Sequence, residues 1–426
     1  MYINTHKEMI CIESLQISLN RFLLLVVGLW PYQQSKLVQI QLILFIGILA
    51  SFILFQFAVF LTLKCTPDLF INVFSSALFC TMIMIKYILF SVNTNNVKYL
   101  LEQLQHIYNE LTDENEISII EKYNSYAKRY TITLSLIATF AASALILYIL
   151  WPHISNILFF TNGTQSLHSL PFMTEYFIDK EKYFYLILFH ANAAVMIGGT
   201  ALIATGSILI VYQKHACGMF QITCYRIERA MAFETLQKNN WKNENLIHKG
   251  LICAVDMHRK AMKLSHSIVS RFKVMISLLI IVGVIGASLN FFRIFQIISF
   301  GFDTVELSLH VMFSIIHFIY AFVGNYLAQE IMDHNNNVFE TIYNAQWYVA
   351  PLQIQKMILF LLQRGTKVFT MNINGLFVGS LEVTEHGSVV FHRSVFYTKL
   401  MQNKSTNIVQ WSNNNEETNL EYIKHK

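Results

Sequence analysis

Long apolar stretches recur along the chain and are separated by polar segments. A helix that crosses the ~30 Å hydrocarbon core of a bilayer needs about 20 apolar residues. Runs of that kind predict six transmembrane helices: Val38–Leu63, Leu69–Val92, Tyr130–Trp151, Tyr183–Tyr212, Val274–Gln296 and Leu307–Gln329. A further uncharged run starts at Val368 but ends at Glu382, so residues 368–382 predict only the start of a seventh helix.

Shorter apolar patterns predict helices outside these spans. Residues 1–37 precede the first span, and within them Arg21–Pro31 has an apolar core that is too short to cross a bilayer. We expect a re-entrant or interfacial helix there, with Trp30 at the level of the lipid headgroups. In Val97–Arg129 and Lys214–Lys273, apolar residues recur at helical spacing among charged ones, which predicts helices that continue beyond the membrane.

The distribution of positive charge predicts the orientation. Of the 31 lysines and arginines, 21 fall in the N-terminal segment and in loops on the same side, and three fall in loops on the other side. Because positive residues are retained on the cytoplasmic side, we expect a multi-pass protein with a cytoplasmic N-terminus. Asn162 begins a glycosylation motif in a loop that this count places outside.

Composition and motifs exclude several other classes of protein. Only 13% of the residues are charged, whereas soluble domains carry roughly 25%. No block of basic residues predicts nucleic-acid binding, and no motif indicates an enzyme or a cofactor. We expect no metal site, because none of the histidines forms an i, i+4 ligand pair with an acidic helper. The spans contain no acidic residue, which disfavours a transporter, and we expect Lys86 to snorkel to the inner interface.

Several motifs resemble those of the insect odorant receptor family. Ahead of the first span, Asn20 and Gly28-Leu29-Trp30-Pro31 match the family's N-x(n)-G-L-W-P stretch. Tyr176-Phe177 and Asp179–Tyr185 resemble the segment that leads into the fourth span. The most specific matches lie towards the C-terminus: Tyr343-Asn344-Ala345-Gln346-Trp347, Gln355-Lys356-Met357-Ile358-Leu359, Gly375-Leu376-Phe377-Val378 and Ser380-Leu381-Glu382.

The resemblance implies a fold and a mode of action. The fold is an all-α membrane protein, a seven-transmembrane helix bundle with an inside N-terminus and a cytoplasmic helical anchor region. The implied activity is that of an odorant-binding subunit in a ligand-gated cation channel of olfactory sensory neurons. That subunit assembles with an odorant co-receptor into a hetero-tetramer in the plasma membrane. Residues 330–367 would form the anchor, in which Tyr343 and Trp347 contact another subunit, whereas residues 383–426 depart from the family as a polar tail.

The same resemblance implies that odorant binds in the outer half of the bundle, among the second, third, fourth and sixth spans. Small volatile apolar ligands must be recognised chiefly by shape and dispersion, with few hydrogen bonds. The outer-half residues that suit this are Phe74, Ser143, Leu147, Trp151, Phe189, His190, Ala193, Phe313, Ile316, His317 and Tyr320. Ser143, Leu147 and Trp151 share one helix face, because they lie four residues apart.

Two alternatives remain open at this level. A gustatory-type or orphan chemoreceptor would share the architecture, although the T-Y-h5-Q-F signature of gustatory receptors is absent. A non-conducting membrane subunit would result if the atypical tail replaces the pore-lining part of the last helix.

Overall fold

Helices make up almost all of the structure. It is a computed structural model, and it describes residues 16–33, 35–159, 172–232, 241–300, 304–367, 369–370, 372–373 and 377–378. In chain order the helices are α1 Ser18–Val26, α2 Lys36–Phe57, α3 Val59–Thr62, α4 Pro67–Val92, α5 Thr94–Glu110, α6 Glu114–Phe159, α7 Phe184–Ala230, α8 Trp241–Phe300, α9 Thr304–Asn344 and α10 Leu352–Gly365. A 3-10 turn, Trp347–Val349, precedes α10. Two short strands follow α10, namely β1 Asn372–Ile373 and β2 Phe377–Val378.

Among the described residues, five helical segments are long and apolar enough to cross a membrane. They are Lys36–Thr62, Pro67–Val92, Phe184–Ala230, Glu244–Ser299 and Glu306–Asn344. These segments contain the first, second, fourth, fifth and sixth predicted spans. The third predicted span, Tyr130–Trp151, lies within α6. The predicted all-α membrane fold is therefore confirmed.

Capping residues determine where the first two spans begin. The side chain of Ser35 accepts a hydrogen bond from the backbone N–H of Val38 at 3.3 Å, at the start of α2. Thr66 accepts one from the N–H of Leu69 at 3.2 Å, and Pro67 occupies the first turn of α4. Such caps satisfy N–H groups that have no partner within the helix, and proline is favoured at this position. The chain can therefore reverse direction within a few residues between the two spans.

Helix α7 lies at the centre of the bundle and packs against α1, α2, α4, α6, α8 and α9. Its buried face is built largely from small residues, namely Ala191, Ala194, Gly198, Ala201 and Ala204. Small residues allow helices in a membrane to approach closely. A methyl group at Gly198 would lie 3.2 Å from a side-chain carbon of Ile83 on α4. The sequence of α7 thus permits the close packing of the bundle around it.

The two ends of the bundle differ in construction. At the end that contains residues 63–66 and 172–183, here called the short-loop end, the connection between the first two spans is brief. At the end that contains residues 93–129 and 213–232, here called the long-helix end, α6 and α7 continue far beyond the apolar runs. Ion pairs join these extensions, and Arg226 Nε lies 2.7 Å from Glu116 Oε1. Charged residues on the extensions are therefore used to hold neighbouring helices together.

Helix α1 is folded into the bundle. Gly28 has a φ of +71°, a left-handed conformation that glycine adopts without strain, and it turns the chain at the end of the helix. The hydroxyl of Tyr87 donates to the carbonyl of Val27 at 2.7 Å, which fastens this turn to α4. Trp30 is buried as a consequence. The turn at Gly28 directs the following residues against the bundle, and the depth of Trp30 relative to the lipid headgroups stays a prediction.

The segment 368–382 differs from its prediction. Its described residues include β1 and β2, which pair antiparallel with Asn372 opposite Val378 and Ile373 opposite Phe377. The intervening sequence contains Asn374-Gly375, a dipeptide that favours hairpin turns and disfavours helix. Residues 372–373 and 377–378 are therefore extended where the sequence pattern predicted helix. The polar tail 383–426 lies outside the described residues.

Candidate ligand-binding site

Aromatic side chains from four parts of the chain meet in the half of the bundle nearest the short-loop end. Phe79 on α4 stacks on Phe313 of α9, with 4.5 Å between ring centroids. Phe172 lies 6.4 Å from Phe313 and contacts Phe52 of α2 edge-on at 5.5 Å. The ring of His317 lies 5.4 Å from that of Phe79. We call Phe52, Phe79, Phe172, Phe313 and His317 the aromatic cluster, and all five are buried.

His190 lies beside this cluster and has all its hydrogen bonds satisfied. Ser51 Oγ donates to the backbone carbonyl of Ile48 at 3.0 Å, so it must accept the bond that joins it to His190 Nε2 at 2.9 Å. The proton of the neutral ring is then on Nε2, and Nδ1 accepts from the hydroxyl of Tyr176 at 2.9 Å. Burial raises the pKa of Tyr176 to about 12, which keeps that hydroxyl protonated as a donor.

His317 has a different hydrogen-bonding arrangement. Its Nδ1 lies 2.8 Å from the carbonyl oxygen of Phe313, one turn earlier on α9. A carbonyl can only accept, so Nδ1 carries a proton. Its Nε2 is buried and has no hydrogen-bond partner among the described residues. A methyl group at Gly286 of α8 would lie 3.2 Å from this nitrogen, so glycine at that position keeps a side chain away from Nε2.

The structure brings several of the predicted ligand residues together. Phe313 and His317 belong to the aromatic cluster, and His190 adjoins it through Phe52 at 6.1 Å between ring centroids. The half-buried residues Ala193 and Ile316 lie on the same helices, α7 and α9. Three of the four helices that the resemblance implies, α4, α7 and α9, therefore supply side chains to the cluster or beside it.

Other predicted residues lie apart from this group. Phe74 stacks on Phe70 at 4.1 Å between ring centroids and belongs to a separate group of rings near the start of α4. Phe189 points away from the core and is 72% exposed. On α6, Ser143 is exposed and Leu147 is 59% exposed. The side chain of Trp151 and the whole of Asn162 lie outside the described residues.

The predicted ligand residue Tyr320 lies next to a buried lysine, Lys86. Lys86 of α4 is only 1% exposed. Its Nζ donates to the carbonyl of Leu202 at 3.3 Å and lies 4.6 Å from the centre of the Tyr320 ring. The prediction that Lys86 snorkels to the interface is wrong, because its side chain points into the bundle towards α7 and α9.

Sequence reasoning missed most of the aromatic cluster. Phe52 and Phe79 lie in apolar runs in which nothing distinguishes them from lipid-facing residues, and Phe172 lies in a loop. Ser51 offered a weak signal, since a hydroxyl within a span needs a hydrogen-bond acceptor. Tyr176 belonged to a motif of the family resemblance, although its role as a hydrogen-bond donor to a histidine could not be inferred.

A polar network closes the bundle at the short-loop end. Glu306 of α9 accepts a hydrogen bond from Arg293 Nε of α8 at 2.6 Å and another from the amide of Asn72 on α4 at 2.6 Å. Arg293 also lies 3.7 Å from Asp68 at the start of α4. We call Asp68, Asn72, Arg293 and Glu306 the polar clasp. It links three helices next to the aromatic cluster.

A group of metal-ligand residues lies towards the long-helix end. The potential ligand atoms of Cys217, Glu330 and His334 lie within 4.8 Å of one another. Lys214 Nζ already contacts both carboxylate oxygens of Glu330 at 2.6 Å, and the hydroxyl of Tyr123 lies 2.6 Å from His334 Nε2. Glu330 and His334 lie four residues apart on α9, and the expectation that the chain has no metal site stays a prediction. The contacts of Glu330 with Lys214 and of His334 with Tyr123 hold neighbouring helices together.

The two predicted subunit contacts lie beyond the end of the apolar run of α9. Tyr343 is 69% exposed, close to the end of that helix. Trp347 is half-buried in the following 3-10 turn, with its ring 6.5 Å from that of Tyr348. Both aromatic residues lie outside the predicted span. An exposed aromatic side chain at this position is available for contact with another chain.

The fold and the site define a multi-pass helical membrane protein with a buried aromatic cluster. Residues 66–385 match the family model described as 7tm odorant receptor. Because this match covers most of the chain, the protein belongs to the 7tm odorant receptor family. A search of curated proteins gave no significant match.

Solved structures confirm the fold. The structure of the insect olfactory receptor OR5 from Machilis hrabei in complex with eugenol superposes with a TM-score of 0.67 and 15% sequence identity, covering 88% of this chain and 95% of that one. The structure of the same receptor described without a ligand gives a TM-score of 0.64 and 14% identity, with coverages of 89% and 96%. At this identity the likeness concerns the fold.

Proposed function

We propose that the protein is the odorant-binding subunit of a heteromeric ligand-gated cation channel in olfactory sensory neurons, and that odorant binds at the aromatic cluster. The observation that carries the proposal is the meeting of Phe79, Phe172, Phe313 and His317 in the core of a chain of this family. Stacked rings offer a volatile apolar molecule extensive dispersion contacts, and a single open polar atom can orient it. The cluster thus has the composition expected of a small-molecule site.

The proposed site keeps the predicted ligand residues that lie in or beside the cluster. Phe313 and His317 would contact the ligand directly, His190 would support the wall, and Ala193, Ile316 and Tyr320 would adjoin it. Phe74, Ser143, Leu147, Trp151 and Phe189 are predicted ligand residues that this proposal places outside the primary contacts. Binding would favour the open channel to the extent that the ligand contacts the open arrangement more strongly than the closed one.

The proposal includes a membrane orientation and a partner. The N-terminus and the long-helix end would face the cytoplasm of a cell whose plasma membrane the chain crosses. The exposed ring of Tyr343, together with Trp347, would contact an odorant co-receptor subunit in a hetero-tetramer. Asn162 would carry a glycan on the outer side. Exposed apolar side chains along the spans would contact lipid.

Electrophysiology on cells that express the full chain with an odorant co-receptor tests the proposal. We expect a panel of volatile odorants, including the eugenol bound in the OR5 structure from Machilis hrabei, to evoke a cation current. Phe313→Ala should raise the half-maximal ligand concentration by about tenfold, the factor that corresponds to an aromatic contact of ~1.4 kcal/mol. Phe189→Ala provides the matched control, because it removes an exposed phenylalanine next to the same site.

Two results would contradict this proposal. The first is the absence of any ligand-evoked current when surface biotinylation shows both subunits at the plasma membrane. The second is an equal effect of Phe189→Ala and Phe313→Ala on odorant sensitivity. A gustatory-type chemoreceptor would instead respond to soluble tastants and not to volatile odorants.

One observation favours a second candidate function. The strand pair β1 and β2 lies where the start of the last helix was predicted. A chain that lacks this helix would bind odorant without completing its share of the pore. Binding of odorant to the purified full chain, with no current on co-expression, would identify such a non-conducting subunit.

A further inference from the structure

The hydrogen bond between His317 and Phe313 fixes the tautomer of the histidine. Since the carbonyl of Phe313 can only accept, the proton of the neutral imidazole lies on Nδ1, 2.8 Å away. A second proton on Nε2 would create a cation among aromatic rings, and burying an unpaired charge is strongly unfavourable. Nε2 therefore presents a lone pair, which can accept a hydrogen bond but cannot donate one.

The surroundings of this lone pair provide no donor. The side chain of His317 is only 8% exposed, and Nε2 has no hydrogen-bond partner among the described residues. The ring of Phe79 lies 5.4 Å from the histidine ring, and glycine occupies the facing position 286 on α8. Buried polar atoms are nearly always satisfied in native proteins, so an unsatisfied acceptor in a buried site calls for an external donor.

The neighbouring histidine, His190, does not share this feature. Its two ring nitrogens are occupied by Ser51 and Tyr176, both at 2.9 Å. The rings of the aromatic cluster other than His317 are phenylalanines, which offer no hydrogen-bonding side-chain atom. The cluster as described thus presents an acceptor at His317 Nε2 and no matching donor.

We propose that this receptor recognises small apolar molecules that carry a hydroxyl group, namely alcohols and phenols, by donation of the ligand O–H to His317 Nε2. The proposal rests on the proposed function, because it assumes that odorant occupies the aromatic cluster. Ethers, esters, ketones and aldehydes of the same skeleton offer only lone pairs and cannot satisfy Nε2. A site built around a buried hydrogen-bonding group discriminates against analogues that lack the complementary group.

Gly286 makes this recognition sterically feasible. A methyl group at that position would lie 3.2 Å from Nε2, which is closer than ordinary van der Waals contact. Any larger residue at position 286 would therefore occupy the space from which a hydroxyl approaches the nitrogen. Gly286→Ala should weaken the response to hydroxyl ligands while it leaves the His317 side chain in place.

Matched ligand pairs test the proposal on the full chain co-expressed with an odorant co-receptor. The probes are p-cresol with its methyl ether, and octanol with octyl methyl ether and octanal. We expect the hydroxyl compounds to act at concentrations about tenfold lower than their ether and carbonyl partners, the factor expected of one net hydrogen bond. His317→Phe should abolish this preference, and Phe189→Ala should retain it, because it removes an exposed ring and leaves Nε2 of His317 untouched.

The outcomes separate this inference from the proposed function. Equal potency of hydroxyl and ether probes on the wild-type receptor would overturn the inference while odorant activation stands. A preference that survives both His317→Phe and Gly286→Ala at normal surface abundance would also overturn it. If His317→Phe fails to reach the surface, Gly286→Ala alone decides the matter, since it retains the histidine. If no volatile compound of any class evokes a current, the proposed function fails and this inference fails with it.

Discussion

At the scale of single residues, Lys86 has a charged side chain that is almost wholly buried. Its ammonium has a carbonyl at 3.3 Å and the face of Tyr320 at 4.6 Å, and no ion pair with Lys86 is found among the described residues. Replacing a buried charge by an apolar side chain of similar shape removes a desolvation penalty. We expect Lys86→Met to raise the thermal unfolding midpoint in detergent, with a gain of ~1–2 kcal/mol in the free energy of unfolding.

A second lysine provides the control for this experiment. Lys98 also lies over a tyrosine ring, that of Tyr32, at 5.5 Å, but its side chain is half-buried. Lys98→Met should therefore leave the unfolding midpoint nearly unchanged. A marked fall in the midpoint of Lys86→Met would show that the ammonium has a favourable role that its two contacts do not explain.

At this scale the sequence indicates which histidines lie on apolar helix faces, but it does not indicate their hydrogen-bond partners. His190 and His317 could be selected from their position on apolar helix faces. Their opposite hydrogen-bonding states could not be inferred, because Ser51 lies 139 positions from His190 and the difference depends on tertiary packing. Lys86 was misplaced for the same reason: helical spacing gives the face on which a residue lies, whereas the neighbouring helices determine whether that face is buried.

At the scale of helices, the polar clasp joins α4, α8 and α9. Arg293 and Glu306 are both mostly buried, and their Nε and Oε1 atoms lie 2.6 Å apart. Removal of one member leaves the other charge in a poorly hydrated site. We expect Arg293→Gln and Glu306→Gln each to lower the free energy of unfolding by ~2–4 kcal/mol, as for other buried pairs. The double variant should lose less than the sum of the two single losses, as measured by thermal unfolding in detergent.

An exposed ion pair is the matched control for the clasp. Lys260 Nζ and Glu110 Oε2 lie 2.8 Å apart on the long-helix end, and both side chains are well exposed. The same double-mutant cycle, with Lys260→Gln and Glu110→Gln, should give a coupling free energy of about 0.5 kcal/mol or less. If the two cycles give equal coupling, burial of Arg293 and Glu306 contributes nothing and the clasp has no special role.

Apolar run length predicts helices well when the run is long. The first, second, fourth, fifth and sixth predicted spans lie within helices of the structure, because a run of about 20 apolar residues has few alternatives in a membrane. The segment 368–382 had only 14 uncharged residues and contained Asn374-Gly375. In that segment the described residues Asn372–Ile373 and Phe377–Val378 form a strand pair, so a short apolar run is a weak predictor of helix.

At the scale of the whole molecule, the single chain exposes many apolar side chains along its spans. On α6 the exposed residues include Ile132, Leu136, Ile137, Phe140 and Leu147. An apolar surface of this extent is unfavourable in water and indicates contact with lipid or with another subunit. The aromatic cluster, by contrast, is complete within one chain. Ligand recognition can therefore belong to this subunit even where assembly requires a partner.

The proposed orientation of the molecule rests on charge alone and can be tested directly. The N-terminal segment and the loops on its side contain 21 lysines and arginines, and the loops on the opposite side contain three. Because translocation of positive residues is disfavoured, an epitope tag fused before Met1 should bind antibody only after cells are permeabilised.

A second tag inserted between Lys64 and Cys65, at the short-loop end, should bind antibody on intact cells and serves as the internal control. The reverse staining pattern would place the aromatic cluster in the cytoplasmic half of the membrane. An odorant arriving from outside would then meet the long-helix end first, and the proposed orientation would be excluded.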